Sequence, residues 1–168
     1  MSQDQQRDLL PNEQDILRAL GDRPYDIDSM EAIANIYRAA AAIRRRAEAR
    51  ILAELGLSWG GFTALWVLYI WGQMETSRLA TECDLSKGTL TGILNTLESR
   101  GFVSRERPKE DRRKMLVELT PEGTAVIGDL SPRFNAFESE TTSVLDVDEK
   151  RQLASLLRTI IGGIADSE

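Results

Sequence analysis

Apolar residues recur every three or four positions along most of the chain, which predicts a mainly helical protein. The longest stripe lies between residues 30 and 55 and consists of Met30, Ile33, Tyr37, Ala40, Ile43, Ala47, Ile51 and Leu55. It predicts one long helix that is capped by Asp28 or Ser29 and ends at Gly56.

The segment after Gly56 is apolar on nearly every side. Ser58 is a suitable N-cap, and the following residues up to Trp71 are almost all aromatic or aliphatic. This pattern predicts a central buried helix. Trp59 and Trp66 are candidates to line a ligand pocket where this helix meets the preceding one, and core packing is the alternative role.

Two short amphipathic segments follow. Thr76 is placed to cap the first, in which Leu79, Ala80 and Cys83 share an apolar face. After a turn at residues 84–85, Ser86 caps a second helix that ends near residues 100–101 and whose apolar positions are Leu90, Ile93, Leu94 and Leu97. Helices this short are not stable separately, so the pattern predicts a packed helix-turn-helix.

Next come two short runs that favour β-strands, residues 102–106 and 114–119. The segment from Arg100 to Lys114 holds seven cations and three anions, mostly in the loop between the runs. We therefore predict a basic β-hairpin wing beside the helix-turn-helix. The predicted fold class is mainly α with a small β-hairpin wing.

The last third of the chain predicts two more helices. Thr120 and Pro121 suit an N-cap and a first helical position, and Pro132 should kink or interrupt that helix. Residues 146–149 read as a capping box with Asp146 as the cap. The final helix carries an apolar stripe too rich for a solvent-facing helix: Leu153, Leu156, Leu157, Ile160, Ile161 and Ile164. We expect that stripe to pair with a second subunit.

The outward face of the second short helix is small and hydrogen-bonding, which suits contact with base edges and phosphates. Its candidate residues are Ser86, Lys87, Gly88, Thr89, Thr91 and Asn95. The wing candidates, suited to phosphates or a minor groove, are Arg105, Arg107, Lys109, Asp111, Arg112, Arg113 and Lys114. The plainer interpretation of both sets is a solvated surface.

The segment DRRKMLVELTPEG, residues 111–123, resembles the wing-to-helix signature of the MarR family of bacterial transcription regulators. That signature is D-x-R, a short strand and L-T-x-x-G, and it matches Asp111, Arg113, Leu119, Thr120 and Gly123. Residues 85–105 resemble the family's recognition helix and first wing strand, and the resemblance covers residues 28–164. Gly88 and Gly92 stand where many relatives carry larger polar residues.

The resemblance implies a homodimeric winged helix-turn-helix repressor of an inverted-repeat operator. It implies that Asp111 orients Arg113 toward DNA, and that a small aromatic or anionic effector binds in the region of Trp59 and Trp66. Arg44 is a candidate to pair with an anionic effector or to contact a phosphate, and a solvated helix face is the alternative. The predicted regions are an acidic N-terminal extension (1–27), a helical dimerisation region (28–56 and 121–164) and a DNA-binding domain (57–120). Residues 12–20 within the extension favour a short helix, with a disordered tail as the alternative.

Charge and composition limit the other functions. The net charge of the whole chain is −6, but residues 74–115 carry nine cations and seven anions. The excess of negative charge therefore lies in the rest of the chain. One cysteine and no histidine predict no disulfide within the chain, no metal site, no cofactor and no catalytic residues. Cys83 is flanked by two acids and is expected to pack as a small hydrophobe, with redox sensing as the alternative.

The polar N-terminus and the lack of a long apolar run predict a cytoplasmic protein with no membrane partner. The remaining alternative to a double-stranded-DNA reader is a winged-helix protein-interaction module without DNA binding. The overall acidity and the two glycines of the reading helix favour that alternative, whereas Lys87 and the wing arginines oppose it.

Overall fold

A computed structural model describes residues 9–21, 23–109 and 111–165 of the 168-residue chain. The chain divides into two compact units, one of residues up to Ile43 and one from Arg44 onward. Seven α-helices and three short strands follow one another in these described ranges.

The first unit begins with helix α1, Pro11–Leu20, so the predicted short helix exists within the extension. The next helix, α2, is Ile27–Ala47. The carboxylate of Asp26 accepts a hydrogen bond of 3.1 Å from the Ser29 amide. Asp26 is therefore the cap, and the prediction of Asp28 or Ser29 is wrong, because both residues lie inside the first turn.

After α2 the chain stays helical but changes its winding. A π-helical turn, Glu48–Leu52, is followed by a 3₁₀ turn, Ala53–Leu55. Gly56 ends this run with a φ of 56°, in the left-handed region that glycine adopts without steric cost. The predicted stop at Gly56 is confirmed.

Helix α3, Trp59–Trp71, forms the centre of the second unit. The Ser58 hydroxyl accepts a hydrogen bond of 3.1 Å from the Gly61 amide, which confirms Ser58 as the cap. One face, including Leu65 and Leu68, is fully buried. The opposite face exposes four large side chains, so burial on all sides was predicted wrongly: Trp66, Tyr69, Ile70 and Trp71.

Helices α4, Thr76–Glu82, and α5, Lys87–Ser99, form the helix-turn-helix. They pack through leucines that are almost completely buried: Leu79, Leu90, Leu94 and Leu97. Ser86 caps α5 as predicted, accepting from the Thr89 amide at 3.1 Å. Thr76 is the first residue of α4 and not its cap, because the extended residue before the helix, Glu75, holds the N-cap position. The Thr76 amide donates to the Met115 carbonyl at 2.9 Å.

The wing consists of strands β2, Val103–Glu106, and β3, Leu116–Leu119, both shorter than the runs in the sequence. A third strand, β1, is Met74–Glu75, which the sequence did not predict. The antiparallel order is β1-β3-β2. The central strand β3 therefore ties the wing to the segment that leads into α4, with Met74 opposite Val117.

Helix α6, Pro121–Thr141, begins where the wing ends. The Thr120 hydroxyl accepts from the Gly123 amide at 3.0 Å and donates to the Gly101 carbonyl at 2.6 Å. A Cβ on Gly123 would lie 1.9 Å from the Phe102 carbonyl oxygen. The L-T-x-x-G motif thus caps α6 and lets its first turn lie against the backbone at Phe102, which leads from α5 into β2.

Pro132 lies inside α6 without interrupting it, so an interruption at this proline is excluded. A proline has no amide to donate to the carbonyl four residues earlier, which belongs to Gly128. The Ser131 hydroxyl lies 3.5 Å from that carbonyl oxygen and donates in place of the missing amide.

The last helix, α7, is Val147–Ala165. Its capping box is confirmed: Asp146 accepts from the Glu149 amide at 2.9 Å, and Glu149 accepts from the Asp146 amide at 2.8 Å. None of its described residues is buried in the single chain. The fold class, mainly α with a small wing, is confirmed.

No single helix in the described ranges is long and apolar enough to cross a membrane. Two consecutive helical segments are long and apolar enough only when they are counted together across the bend between them, and this rests on length and composition alone: Ile27–Leu55 and Trp59–Trp71.

Candidate nucleic-acid interface

The outward face of α5 is open to solvent. The six predicted contact residues on it are all exposed: Ser86, Lys87, Gly88, Thr89, Thr91 and Asn95. A Cβ on Gly88 would meet only the Ser86 hydroxyl, at 4.0 Å, and one on Gly92 would meet nothing within 4 Å. This face is therefore flat enough for another molecule to approach the helix backbone closely.

A groove of about 420 Å³ separates α5 from the wing. Five of the predicted contact residues line it, including Lys87 and Thr91 from the helix and Arg113 and Lys114 from the wing side. Arg105, on strand β2, lines it as well. The fold thus brings the two predicted sets of residues to one surface.

Carboxylates hold two of the cations along this groove. The Lys114 ammonium lies 2.5 Å from Oε1 of Glu75, and this hydrogen bond and charge raise the pKa of Lys114. The Arg105 guanidinium donates to Oδ1 of Asn95 at 2.8 Å and to Glu98, with Nε 3.2 Å from Oε2. The bond from Arg105 lowers the pKa of Glu98.

Arg105 is therefore a brace between β2 and the recognition helix as well as a predicted DNA contact. Glu75 and Glu98 were not among the residues predicted from the sequence. No sequence pattern signals either pair, because each joins residues on different elements. A phosphate that approaches Lys114 or Arg105 must share the cation with an existing carboxylate.

Arg113 lies in the wing loop, shortly before strand β3. Oδ1 of Asp111 accepts from the Arg113 amide at 3.1 Å and lies 3.4 Å from its Nε. The Arg113 side chain is 94% exposed, and that of Asp111 is 33% exposed. Asp111 thus sets the direction of the Arg113 side chain while leaving most of the guanidinium open.

The other wing cations, Arg107, Lys109 and Arg112, are exposed. None of the described carboxylates forms an ion pair with them or with Lys87. These four residues supply positive charge that a polyanion meets without displacing a partner in the described ranges.

Arg100 fixes the position of the C-terminal end of α5. Its Nη1 donates to the Gly56 carbonyl at 3.0 Å, and its Nη2 donates to the Leu55 carbonyl. Its Cζ lies 4.6 Å from the centroid of the Phe102 ring. The residue satisfies carbonyls left unpaired where the preceding helical run ends.

Trp59 and Trp66 line a cleft of about 520 Å³. The cleft lies between α3 and α6, not between α3 and the preceding long helix, so that placement was wrong. Arg44 is not among its lining residues. Its Nε instead lies 3.6 Å from Oε1 of Glu48, and the same oxygen accepts from the Trp59 amide at 3.1 Å.

Cys83 is half-buried at the end of α4. Burial, together with the charge of Glu82, raises the pKa of its thiol to about 11. The thiol is therefore protonated at neutral pH, which does not favour reaction with oxidants.

The chain is similar to known transcription regulators. The MarR family model matches residues 57–115, which span α3, β1, α4, α5, β2 and the wing loop up to the start of β3. The chain is 33% identical over 159 residues to YwaE, an HTH-type transcriptional regulator of Bacillus subtilis, with 93% of each chain covered. It is 39% identical over 82 residues to the HTH-type transcriptional repressor YetL of B. subtilis, covering 48% of this chain and 49% of YetL.

Among solved structures, a mutant of Escherichia coli MarR in complex with operator DNA has a TM-score of 0.69 and 25% identity. The match covers 79% of this chain and 95% of that chain. With the winged helix-turn-helix and its exposed basic groove, these similarities show that the chain belongs to the MarR family of DNA-binding transcription regulators.

Proposed function

We propose that this regulator is a homodimer that represses transcription by occupying an inverted-repeat operator and that leaves the DNA when a small effector binds. The observation that carries the proposal is the groove between α5 and the wing, where exposed hydrogen-bonding groups of the helix and cations from both sides meet on one surface. In the proposed complex, α5 enters a major groove and the wing lies along the adjacent backbone.

The residues of α5 and those of the wing have different proposed roles in DNA binding. Lys87, Thr91 and Asn95 lie on the face of α5 that borders the wing, where side chains meet base edges. Arg113, directed by Asp111, suits a minor-groove or phosphate contact, which carries affinity with little sequence preference. The exposed cations Arg107, Lys109 and Arg112 add to that electrostatic attraction.

Each unit of the chain exposes an apolar face that supports dimerisation. On α7, Leu156 is 57% exposed and Ile161 is 66% exposed. On α2, Ile33 is 46% exposed and Tyr37 is 73% exposed. We assign residues 28–56 and 121–164 to dimerisation and 57–120 to DNA binding. A two-fold dimer would place its recognition helices roughly 34–36 Å apart.

Repression and effector release complete the proposal. YetL, to which about half of this chain is similar, is named as a transcriptional repressor. The cleft between α3 and α6 is large enough for a small organic molecule. A ligand there would contact α3. The first turn of α3 packs closely against α5, since a Cβ on Gly60 would lie only 2.7 Å from Cδ1 of Ile93.

The test is selection from random duplex DNA at moderate salt, followed by footprinting of the enriched sequence. The proposal expects an inverted repeat with half-site centres about 10 bp apart. Salt-sensitive binding with no enriched sequence would contradict an operator-specific reader. Absence of any binding would favour the protein-interaction module, and the exposed face of α5 would then be tested as its docking surface.

A further inference from the structure

Aromatic rings form the walls of the cleft between α3 and α6. Trp59, Phe62 and Trp66 come from α3, and Phe134 comes from α6. The centroids of Phe62 and Phe134 are 4.2 Å apart in a stacked arrangement, and those of Trp59 and Phe134 are 5.9 Å apart. Trp66 is 39% exposed, so its indole is accessible to a ligand.

Glu138, on α6, is the one charged residue among those described that line the cleft. The Asn135 amide donates to its Oε2 at 3.1 Å, and within the described ranges Glu138 forms no ion pair. Its carboxylate is exposed at the rim of the cleft. An aromatic cleft with one available negative charge therefore faces solvent.

The arginines of the neighbouring helical segments are held by carboxylates other than Glu138. Arg46 and Arg50 both bind Oε1 of Glu140, at 2.9 and 2.8 Å. Arg133 binds Glu54 and lies 3.7 Å from Asp129, while Arg44 lies beside Glu48. None of the four lines the cleft, so its electrostatic character is set by Glu138.

We infer that this cleft binds a small organic monocation with an aromatic or alkyl body, such as a substituted ammonium ion. A cation over an indole or phenyl face is attracted by the ring's quadrupole, and Glu138 supplies a counter-charge at the rim. An anion would meet only repulsion from Glu138, and no lining cation would bind it. The inference rests on the proposed role of the cleft as the effector site and names the ligand class.

A matched series of probes tests the charge preference by quenching of tryptophan fluorescence. The series is 3-hydroxyphenyltrimethylammonium, its neutral isostere 3-tert-butylphenol and the anion 3-hydroxybenzoate. We expect the ammonium compound to bind about threefold to thirtyfold tighter than 3-tert-butylphenol, and 3-hydroxybenzoate to bind weakest.

Variants assign the preference to the cleft. In Glu138→Gln the ratio between the cation and its isostere should fall but stay above one, because the aromatic rings still attract the cation, and the affinity for 3-tert-butylphenol should be unchanged. Trp66→Ala should weaken both probes. The matched control is Asp129→Asn, on the same helix but away from the lining, and it should leave the ratio unchanged.

Equal binding of the cation and its isostere, tighter binding of 3-hydroxybenzoate, or a ratio left unchanged by Glu138→Gln would overturn the ligand class. If no probe binds while the protein still binds its selected operator, the cleft is not the effector site and the DNA-binding proposal stands. If Glu138-dependent preference is found but no DNA binds, the ligand class stands and the proposed repressor fails.

Discussion

The guanidinium of Arg100 donates a hydrogen bond of 3.0 Å to the main-chain carbonyl of Gly56, 44 residues earlier in the chain. A second bond reaches the Leu55 carbonyl, and the Phe102 ring lies beneath the guanidinium. One side chain therefore joins the end of the recognition helix to the end of the helical run that precedes α3. The position of α5 depends on this connection.

Replacing Arg100 with alanine should lower the free energy of unfolding by about 1–3 kcal/mol, because the partly buried Leu55 carbonyl and the exposed Gly56 carbonyl lose a charged donor. Urea unfolding measures the change. Arg18→Ala is the matched control, since its pair with Asp15 is exposed and exposed pairs contribute about 0–1 kcal/mol. Equal losses in the two variants would show that the Arg100 contacts do not stabilise the fold.

Gly123→Ala should destabilise the protein by about 1–3 kcal/mol or more, because the new Cβ would lie 1.9 Å from the Phe102 carbonyl oxygen. The start of α6 or the end of the recognition helix would have to move. In the control Gly92→Ala the Cβ meets nothing within 4 Å, and stability should rise by about 0.5–1 kcal/mol. Thermal unfolding of both variants checks the contrast, which would be absent if α6 tolerated the methyl group.

The same Gly92→Ala substitution separates stability from DNA binding. If the outer face of α5 lies against the base edges in the DNA major groove, the added methyl group should weaken operator binding by about tenfold, or 1.4 kcal/mol, while the fold becomes more stable. Fluorescence anisotropy on the selected duplex gives the affinity. Unchanged affinity would mean that this face of the helix does not approach the bases.

Arg113→Ala should weaken binding to all duplex sequences alike and reduce the slope of log affinity against log salt by about 1. The reason is that the proposed complex places this wing arginine against a phosphate or in the minor groove. Lys87→Ala or Thr91→Ala should alter sequence preference instead. Arg18→Ala should leave the slope unchanged, and an unchanged slope in Arg113→Ala would show that the wing assignment is wrong.

The contact between α1 and α2 should depend on pH. Glu13 is only 6% exposed; bonds from the Leu10 amide, Asn35 and Arg38 hold its pKa below its ordinary value of 4.5. A depressed carboxyl pKa stabilises the folded state above the ordinary value, and that contribution is lost as the pH falls below it. The protection factor of the α1 amides, which is the intrinsic exchange rate divided by the observed rate at the same pH, should therefore fall as the pH is lowered from neutral to about 3.

In Glu13→Gln the protection factor of the α1 amides should already be low at neutral pH and should change less on acidification, because the ion pair with Arg38 is gone. Identical pH dependence in the variant and the parent protein would assign the effect to other carboxylates.

Local residues carried most of the fold prediction. Ser58, Ser86, Thr120 and Asp146 cap helices as expected, because a cap depends on a side chain and an amide two or three residues away. Gly56 also ends its helical run as expected.

What the sequence did not reveal depends on distant partners. Strand β1 has two residues and exists only through pairing with β3. The bonds from Lys114 to Glu75 and from Arg105 to Glu98 follow from that tertiary arrangement, which leaves no periodic signal. The cleft was placed against the wrong helix for the same reason, since an apolar face does not specify which element covers it.

The most direct test is the mass of the complex on the selected duplex, measured by sedimentation with both half-sites intact and with one half-site scrambled. The account predicts two chains on the intact duplex, and a large loss of affinity when either half-site is scrambled. One chain per duplex, or affinity indifferent to the second half-site, would contradict a dimer that reads two half-sites.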